Sequence, residues 1–423
     1  MKVLVVATKP PLPAVDGGRL VLWETLKALH LHGVELRLLA PLLSPLPAAA
    51  RQALSGVATA LLPPSRLRSW WRAGLSTLGR SEALALARHR HAAVARLLAA
   101  ELTRQRPDLI HVEQLQALPQ VLPAARAAGI PVLLRMQNVE SDLWAQLAQQ
   151  PGWRAALYAA AGRGLARDER RLLGRVARTL TLTPEDAARL QCITGLDDTC
   201  IVHHAPAFPA QWPAAPALRS TSDHAPIVLS GSAGWWPNTQ ALQWFLKQVL
   251  PLLPALDVHI YGGAASPVAG AAARLHWHPA PADSQEAFPE GAVVAVPLLQ
   301  GSGIRMRILE AWARGLPVVA SAVAAAGLEV QPGMDVLLPA DTGPAAFATT
   351  LALASTDAAL RARLVCGGRA HLSLRHDPVL QTEALLGHYR AALRHHQQTY
   401  GAADLAPAMG AVRDRSSATG ERP

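Results

Sequence analysis

Short, almost uninterrupted runs of Val, Leu and Ile alternate with longer stretches of helical periodicity, and the alternation occurs twice along the chain. Strand-like runs fall at Val3–Ala7, Val34–Leu39, Leu109–Val112, Val132–Arg135 and Thr179–Leu182, then at Ile227–Ser230, Val258–Tyr261, Val293–Val296 and Pro317–Ala320. Helical patterns lie between them, at Leu20–His32, Ala83–Arg104, Trp153–Val176, Thr239–Leu250 and Ile304–Ala313. Strands that are apolar on both faces belong in parallel sheets sheathed by helices. The expected fold is α/β, with two doubly wound Rossmann-like domains. Ala207–Pro226, rich in Pro, Ala and Ser, reads as the linker. The expected boundaries are residues 1–205 for the first domain, 206–225 for the linker and 226–400 for the second, with the last helix packing back on the first. Residues 401–423 are small, polar and aperiodic, and read as a disordered tail.

Half of the 423 residues are hydrophobic and 17% are charged, a globular composition that excludes disorder as the main state. The net charge of +10 is unevenly placed. Residues 1–205 hold 25 Lys/Arg against 15 Asp/Glu, whereas the rest hold 15 of each. A basic half implies an anionic partner: a membrane surface, a nucleic acid or an anionic substrate. No nucleic-acid-binding signature accompanies the charge, so no nucleic-acid partner is expected. Arg66–Arg106 contains nine Arg and two Glu, and within Ser65–Leu75 the arginines interleave with Trp70 and Trp71. Such a stretch suits the surface of an anionic membrane. Cys192, Cys200 and Cys366 form no C-x-x-C pair and read as reduced thiols in a cytoplasmic protein. The apolar run Val3–Ala7 is too short for a signal peptide, and no stretch approaches the ~18–20 apolar residues of a spanning helix, so any membrane association is expected to be peripheral.

Open α/β sheets bind ligands at the carboxyl ends of their strands. After the first strand, Gly17 and Gly18 precede a helix expected from about Arg19, which makes an anion site possible. The dinucleotide fingerprint G-x-G-x-x-G is absent. In the second half, V-P-L-L-Q-G-S-G-I-R-M-R-I-L-E-A-W-A-R-G-L-P-V-V-A-S reads as strand, glycine loop, helix, glycine turn and strand. Gly301, Ser302 and Gly303 can bring backbone N–H groups to a phosphate. Arg305 and Arg307 add cationic donors, and Glu310, one turn on, can accept the hydroxyls of a ribose. The same spacing also suits a plain surface pair of Glu310 with Arg307 or Arg314. His203-His204 and His276-Trp277-His278 are not helical i, i+4 pairs, so no metal is expected. A pyridoxal-phosphate enzyme needs a Schiff-base lysine, and Lys247 alone lies beyond residue 27, on an ordinary helix pattern.

Gly301–Ser321 resembles the donor-site motif of GT-B glycosyltransferases of family 4, the "glycosyl transferases group 1" type. Gly231–Phe245 is similar to the start of that family's C-terminal domain. Gly17-Gly18, D-L-I-H-V-E (Asp108–Glu113) and R-M-Q-N-V-E-S (Arg135–Ser141) fall where the family places its acceptor-side and sugar-contacting loops. The resemblance implies a hexosyltransferase that moves a sugar from a nucleoside-diphosphate donor to a glycan or lipid-linked acceptor, with retention and without a metal or other cofactor. It implies that Arg305 and Arg307 hold the diphosphate, that Glu310 binds the ribose, and that Gly301–Gly303 lie against the phosphate or sugar. Gly17 and Gly18 would then face the diphosphate across a cleft. Gln137 would contact the donor sugar, and Glu113, Asn138 and Glu140 would stand on the acceptor side. Two positions depart from the family pattern: Ser302 replaces a frequent Glu, and Gln137 a frequent His. A non-catalytic nucleotide-sugar-binding relative and a nucleotide-sugar epimerase on the same fold are the alternatives.

Overall fold

The computed structural model describes residues 1–67, 82–218, 224–230, 235–262, 274–281 and 283–401. Two parallel sheets organise them. The first runs β3-β2-β1-β4-β5-β6-β7. Its strands are β1 (Lys2–Val6), β2 (Glu35–Leu39), β3 (Thr59–Leu61), β4 (Leu109–Glu113), β5 (Val132–Met136), β6 (Arg178–Thr181) and β7 (Ile201–His203). The second runs β10-β9-β8-β11-β12, from β8 (Ile227–Ser230), β9 (Val258–Tyr261), β10 (Leu275–His278), β11 (Val293–Val296) and β12 (Val318–Ala320). The strand order reverses between β1 and β4 and between β8 and β11, where such sheets open a crevice at their carboxyl ends.

Helices α1 (Gly17–Leu31), α2 (Ala48–Ser55), α3 (Ala92–Arg104), α4 (Leu118–Ala128), α5 (Glu140–Ala148), α6 (Ala155–Leu173) and α7 (Pro184–Thr194) accompany the first sheet. The second carries α8 (Trp236–Trp244), α9 (Met306–Ala313), α10 (Pro344–Thr356) and α11 (Ala358–Arg375). The last helix, α12 (Pro378–Gly401), returns to the first sheet, where Leu385, Tyr389 and Ala392 join the core of β1, β2 and α1. One core of the second sheet takes in Leu20 and Val21 of α1 and Leu182. The two halves therefore share apolar packing as well as a cleft. Among the described residues, no helix is long and apolar enough to cross a membrane.

Several boundaries differ from the sequence reading. The single helix expected over Ala83–Arg104 breaks into a short turn, Leu84–Ala87, and α3. The break lets Arg90 reach back to Glu82 at 2.8 Å and lets the His91 N–H bond Gln120 at 3.0 Å. Helix α1 begins at Gly17 rather than Arg19, because Asp16 caps it by accepting from the Arg19 N–H at 3.0 Å. Helix α9 begins at Met306, two residues later than the apolar pattern suggests, since Arg305 is its non-helical cap. Strands β3, β7 and β10 had no expected counterpart. Of the sequence segments singled out, residues 68–81, 219–223, 231–234 and 402–423 lie outside the described residues.

Candidate active site

A cleft of about 510 Å³ opens where the carboxyl ends of the two sheets face each other. Lys9, Asp16, Gly17, Gly18, Gln114, Gln137 and Asn138 line it from the first half. Trp235, Asn238, Leu242, Arg305, Met306 and Arg307 line it from the second. The sequence-selected Gly17, Gly18, Gln137, Asn138, Arg305 and Arg307 thus meet at one place.

On the first wall, the cap that starts α1 also fixes a cation. Lys9 Nζ lies 2.8 Å and Arg19 Nε 3.2 Å from the Asp16 carboxylate. Burial alone would raise the Asp16 pKa, but these two cations hold it below the ordinary value. Glu113 does not stand on this wall as an acceptor-side group. Parallel register sets it beside Arg135, and the buried pair closes at 2.8 Å. Burial opposes the Glu113 charge, yet Arg135 and His111 outweigh it and bring its pKa to about 2. His111 in turn meets the Tyr389 hydroxyl of α12 at 2.6 Å. Glu140 is also off the wall. It sits in the first turn of α5, bonded to Gln116, with its pKa raised by burial.

On the second wall, Arg305 is buried and Arg307 half-buried. Burial lowers the pKa of each to about 10. Arg305 donates to the Ser302 carbonyl at 2.7 Å and lies 5.2 Å over the Trp235 ring. Neither guanidinium forms a salt bridge among the described residues. Asp186 and Glu310 offset that burial only in part and from beyond salt-bridge distance, and an anion in the cleft would relieve the rest of the cost.

The glycine loop takes a different place from the expected one. Gly301, Ser302 and Gly303 do not line the cleft. They fasten the two halves together. Ser302 Oγ donates to Asp186 at 2.8 Å and accepts from the Val139 N–H at 3.1 Å. The Asn138 amide nitrogen donates to the carbonyls of Ser302 at 2.8 Å and Gln137 at 3.0 Å. Gln146 reaches the Gly301 carbonyl at 3.3 Å. Gly303 has a φ of +77°, and a Cβ there would overlap the Gln137 carbonyl oxygen.

Glu310 is buried one turn beyond Arg307. Ser284 Oγ at 2.5 Å and Arg314 Nη2 at 2.8 Å both bond its Oε1. The alternative pairing with Arg314 is therefore real, but buried rather than on the surface. Sequence reasoning missed Lys9, Gln114 and Trp235 on the cleft and Asp186 at the fastening. Lys9 and Gln114 could have been found by the rule that selected Gly17, since each follows a strand closely. His276 and His278 lie on edge strand β10, where both rings stack on His259. Among the described residues, no group of three His, Cys, Asp or Glu is placed to hold a metal ion.

Residues 225–357 match the family model described as glycosyl transferases group 1. No curated protein is similar enough in sequence to match. Several solved structures share the fold over nearly the whole chain. Sucrose-phosphate synthase from Thermosynechococcus elongatus aligns with a TM-score of 0.69 and 15% identity, covering 95% of this chain and 100% of that one. Anabaena HepE in complex with UDP-glucose aligns at 0.61 and 15% identity, covering 92% and 98%. A glycosyltransferase from Rickettsia africae aligns at 0.57 and 12% identity, covering 93% and 99%. Residues 225–357 are thus similar to the glycosyl transferases group 1, and the chain as a whole carries the two-domain GT-B fold of these structures.

Proposed function

We propose that this protein transfers a hexosyl group from a nucleoside-diphosphate sugar to a hydroxyl of a glycan or lipid-linked acceptor. The observation that carries this reading is the pair of guanidiniums of Arg305 and Arg307 on the cleft wall, set back from water and, among the described residues, in no salt bridge. Similar structures hold UDP-glucose, or UDP with glucose, in HepE. Breaking the bond between sugar and diphosphate leaves negative charge on the phosphate, and fixed donors aimed at that charge are usually the largest catalytic factor. Arg305, Arg307 and the N–H groups of Gly17 and Gly18 at the start of α1 would supply them. We assign the transfer as retaining and independent of a metal. Glu310 would accept ribose hydroxyls on Oε2, since Ser284 and Arg314 occupy Oε1. The fastening of Ser302 to Asp186 and Val139 would keep the cleft closed to water, which competes as acceptor. The basic stretch Arg66–Arg106 would bring the protein to anionic lipid at the cytoplasmic face of a membrane.

A thermal-shift titration of wild type and Glu310→Ala with UDP, GDP, ADP and TDP tests this. A ligand at ~100 times its Kd stabilises a fold by about 2.7 kcal/mol, a shift of several degrees. One base should raise the midpoint of the wild type, and Glu310→Ala should reduce that shift. No shift with any of the four would reject the reading.

A further inference from the structure

Strands β1, β4 and β5 lie side by side, and their carboxyl ends lead into Thr8, Gln114 and Gln137. Both glutamines line the cleft. Gln114 holds a φ of 72°, which a residue with a side chain rarely adopts. Strain of this kind persists where the surroundings impose it, and it gathers at functional sites. Glycine would fit the backbone better, so the side chain is the reason to look further.

The polarity of both carboxamides follows from Glu113. An ionised carboxylate only accepts hydrogen bonds. Gln137 must therefore turn Nε2 toward Glu113, at 3.2 Å, and the same nitrogen donates to the Gly18 carbonyl at 3.4 Å. Its Oε1 then faces Gln114, which donates from Nε2 at 2.8 Å. The Gln114 Oε1 is left to accept from the Thr8 hydroxyl. The relay uses both N–H groups of Gln137 and one lone pair of its Oε1. It leaves a second lone pair on Gln137 Oε1 and a second N–H on Gln114 Nε2. Neither has a partner among the described residues. One acceptor and one donor, next to each other on the cleft wall, match a hydroxyl, which donates and accepts at once.

We propose that Gln114 is a specificity-determining residue that, with Gln137, binds one hydroxyl of the sugar on the nucleoside diphosphate. The proposal rests on the nucleotide-sugar reading above and assigns the sugar recognition of that same cleft. Gln137 is pinned by Glu113 and Gly18, so it cannot turn to offer a donor to a sugar that lacks the hydroxyl. Selection would follow from the unmet polar groups such a sugar leaves behind.

The test uses whichever of UDP, GDP, ADP and TDP binds, together with its glucose and mannose conjugates. Each is titrated into wild type, Gln114→Leu and Gln114→Gly. The wild type should prefer one conjugate. Both variants should hold the free diphosphate within about twofold of wild type and bind the preferred conjugate roughly fivefold or more weakly. Gln114→Gly should melt closer to wild type than Gln114→Leu does, because relief of the backbone offsets part of the two lost hydrogen bonds. That separates loss of recognition from loss of fold. Equal weakening of the free diphosphate, or an unchanged preference, would overturn the role of Gln114. A wild type that binds none of the diphosphates would overturn the nucleotide-sugar reading and this proposal with it.

Discussion

Gly303→Ala should lower kcat/KM for the donor by about 100-fold, the cost of misplacing reacting groups by roughly 1 Å. Two effects combine at this position. The backbone holds φ at +77°, and a Cβ would collide with the carbonyl oxygen of Gln137. That oxygen belongs to the loop between β5 and α5, so it cannot yield without moving Gln137 and Asn138. The loop from Gly301 to Gly303 would be pushed out of its place against Asp186 and Val139. Gly33→Ala is the control. Gly33 has a φ of +72° with nothing within 4 Å of its Cβ position. It should lose about 1 kcal/mol of stability and no activity. Steady-state kinetics on both variants, with melting curves, separates strain from misplacement. Equal kinetics in the two would show that the fastening does not govern the cleft.

Stability should fall steeply in acid, and the two polypeptide crossings between the halves should loosen first. His204 follows β7, where the chain leaves the first sheet, and meets the Gln381 carbonyl at 2.9 Å. His376 precedes α12, where the chain returns, and meets the Pro206 carbonyl at 2.9 Å. The two crossings are thus tied to each other through histidines. Burial pushes the pKa of His204 down to about 3 and that of His376 down to about 4. Each stays neutral in the fold and binds a proton more readily when unfolded. Their contribution is therefore present above the unfolded value of about 6.5 and lost as pH falls toward 4, on the order of 3 kcal/mol each.

Glu169 acts in the opposite sense. Burial raises its pKa to about 7 while it bonds Ser141. Its protonated form suits the fold, so its contribution is lost as pH rises from the ordinary carboxylate range toward 7. Chemical denaturation at pH 7 and pH 4 should show a net loss for wild type. The loss should be larger for Glu169→Gln and smaller for His204→Gln with His376→Asn, which keep an N–H donor without a titrating ring. A wild type as stable at pH 4 as at pH 7 would contradict this.

The central strands were legible because their apolar runs are continuous, as burial on both faces requires. The three that were not, β3, β7 and β10, are all sheet edges. Edge strands are short and half exposed, so residues such as Thr59, His203 and His276 interrupt the apolar signal. Arg305, Arg307, Gly17 and Gly18 stood out by local order, each lying just past a strand or at the start of a helix, and the structure brings them to one cleft. Glu113 was not. Its ionic partner Arg135 is adjacent only through the register of two strands 22 residues apart, which no local pattern records. The glycine loop was legible as a loop. Its attachment depends on Asp186 and Val139 in the other half, 116 and 163 residues away from Ser302.

The central claim is that Arg305 and Arg307 form the seat of a diphosphate. Calorimetric titration of wild type, Arg305→Ala and Arg307→Ala with the diphosphate selected by the thermal screen tests it most directly. Loss of a charge-assisted hydrogen bond is worth about 1.5–3 kcal/mol, so each variant should bind roughly 10-fold or more weakly than wild type. Two variants that are folded and bind the diphosphate as tightly as wild type would contradict the account.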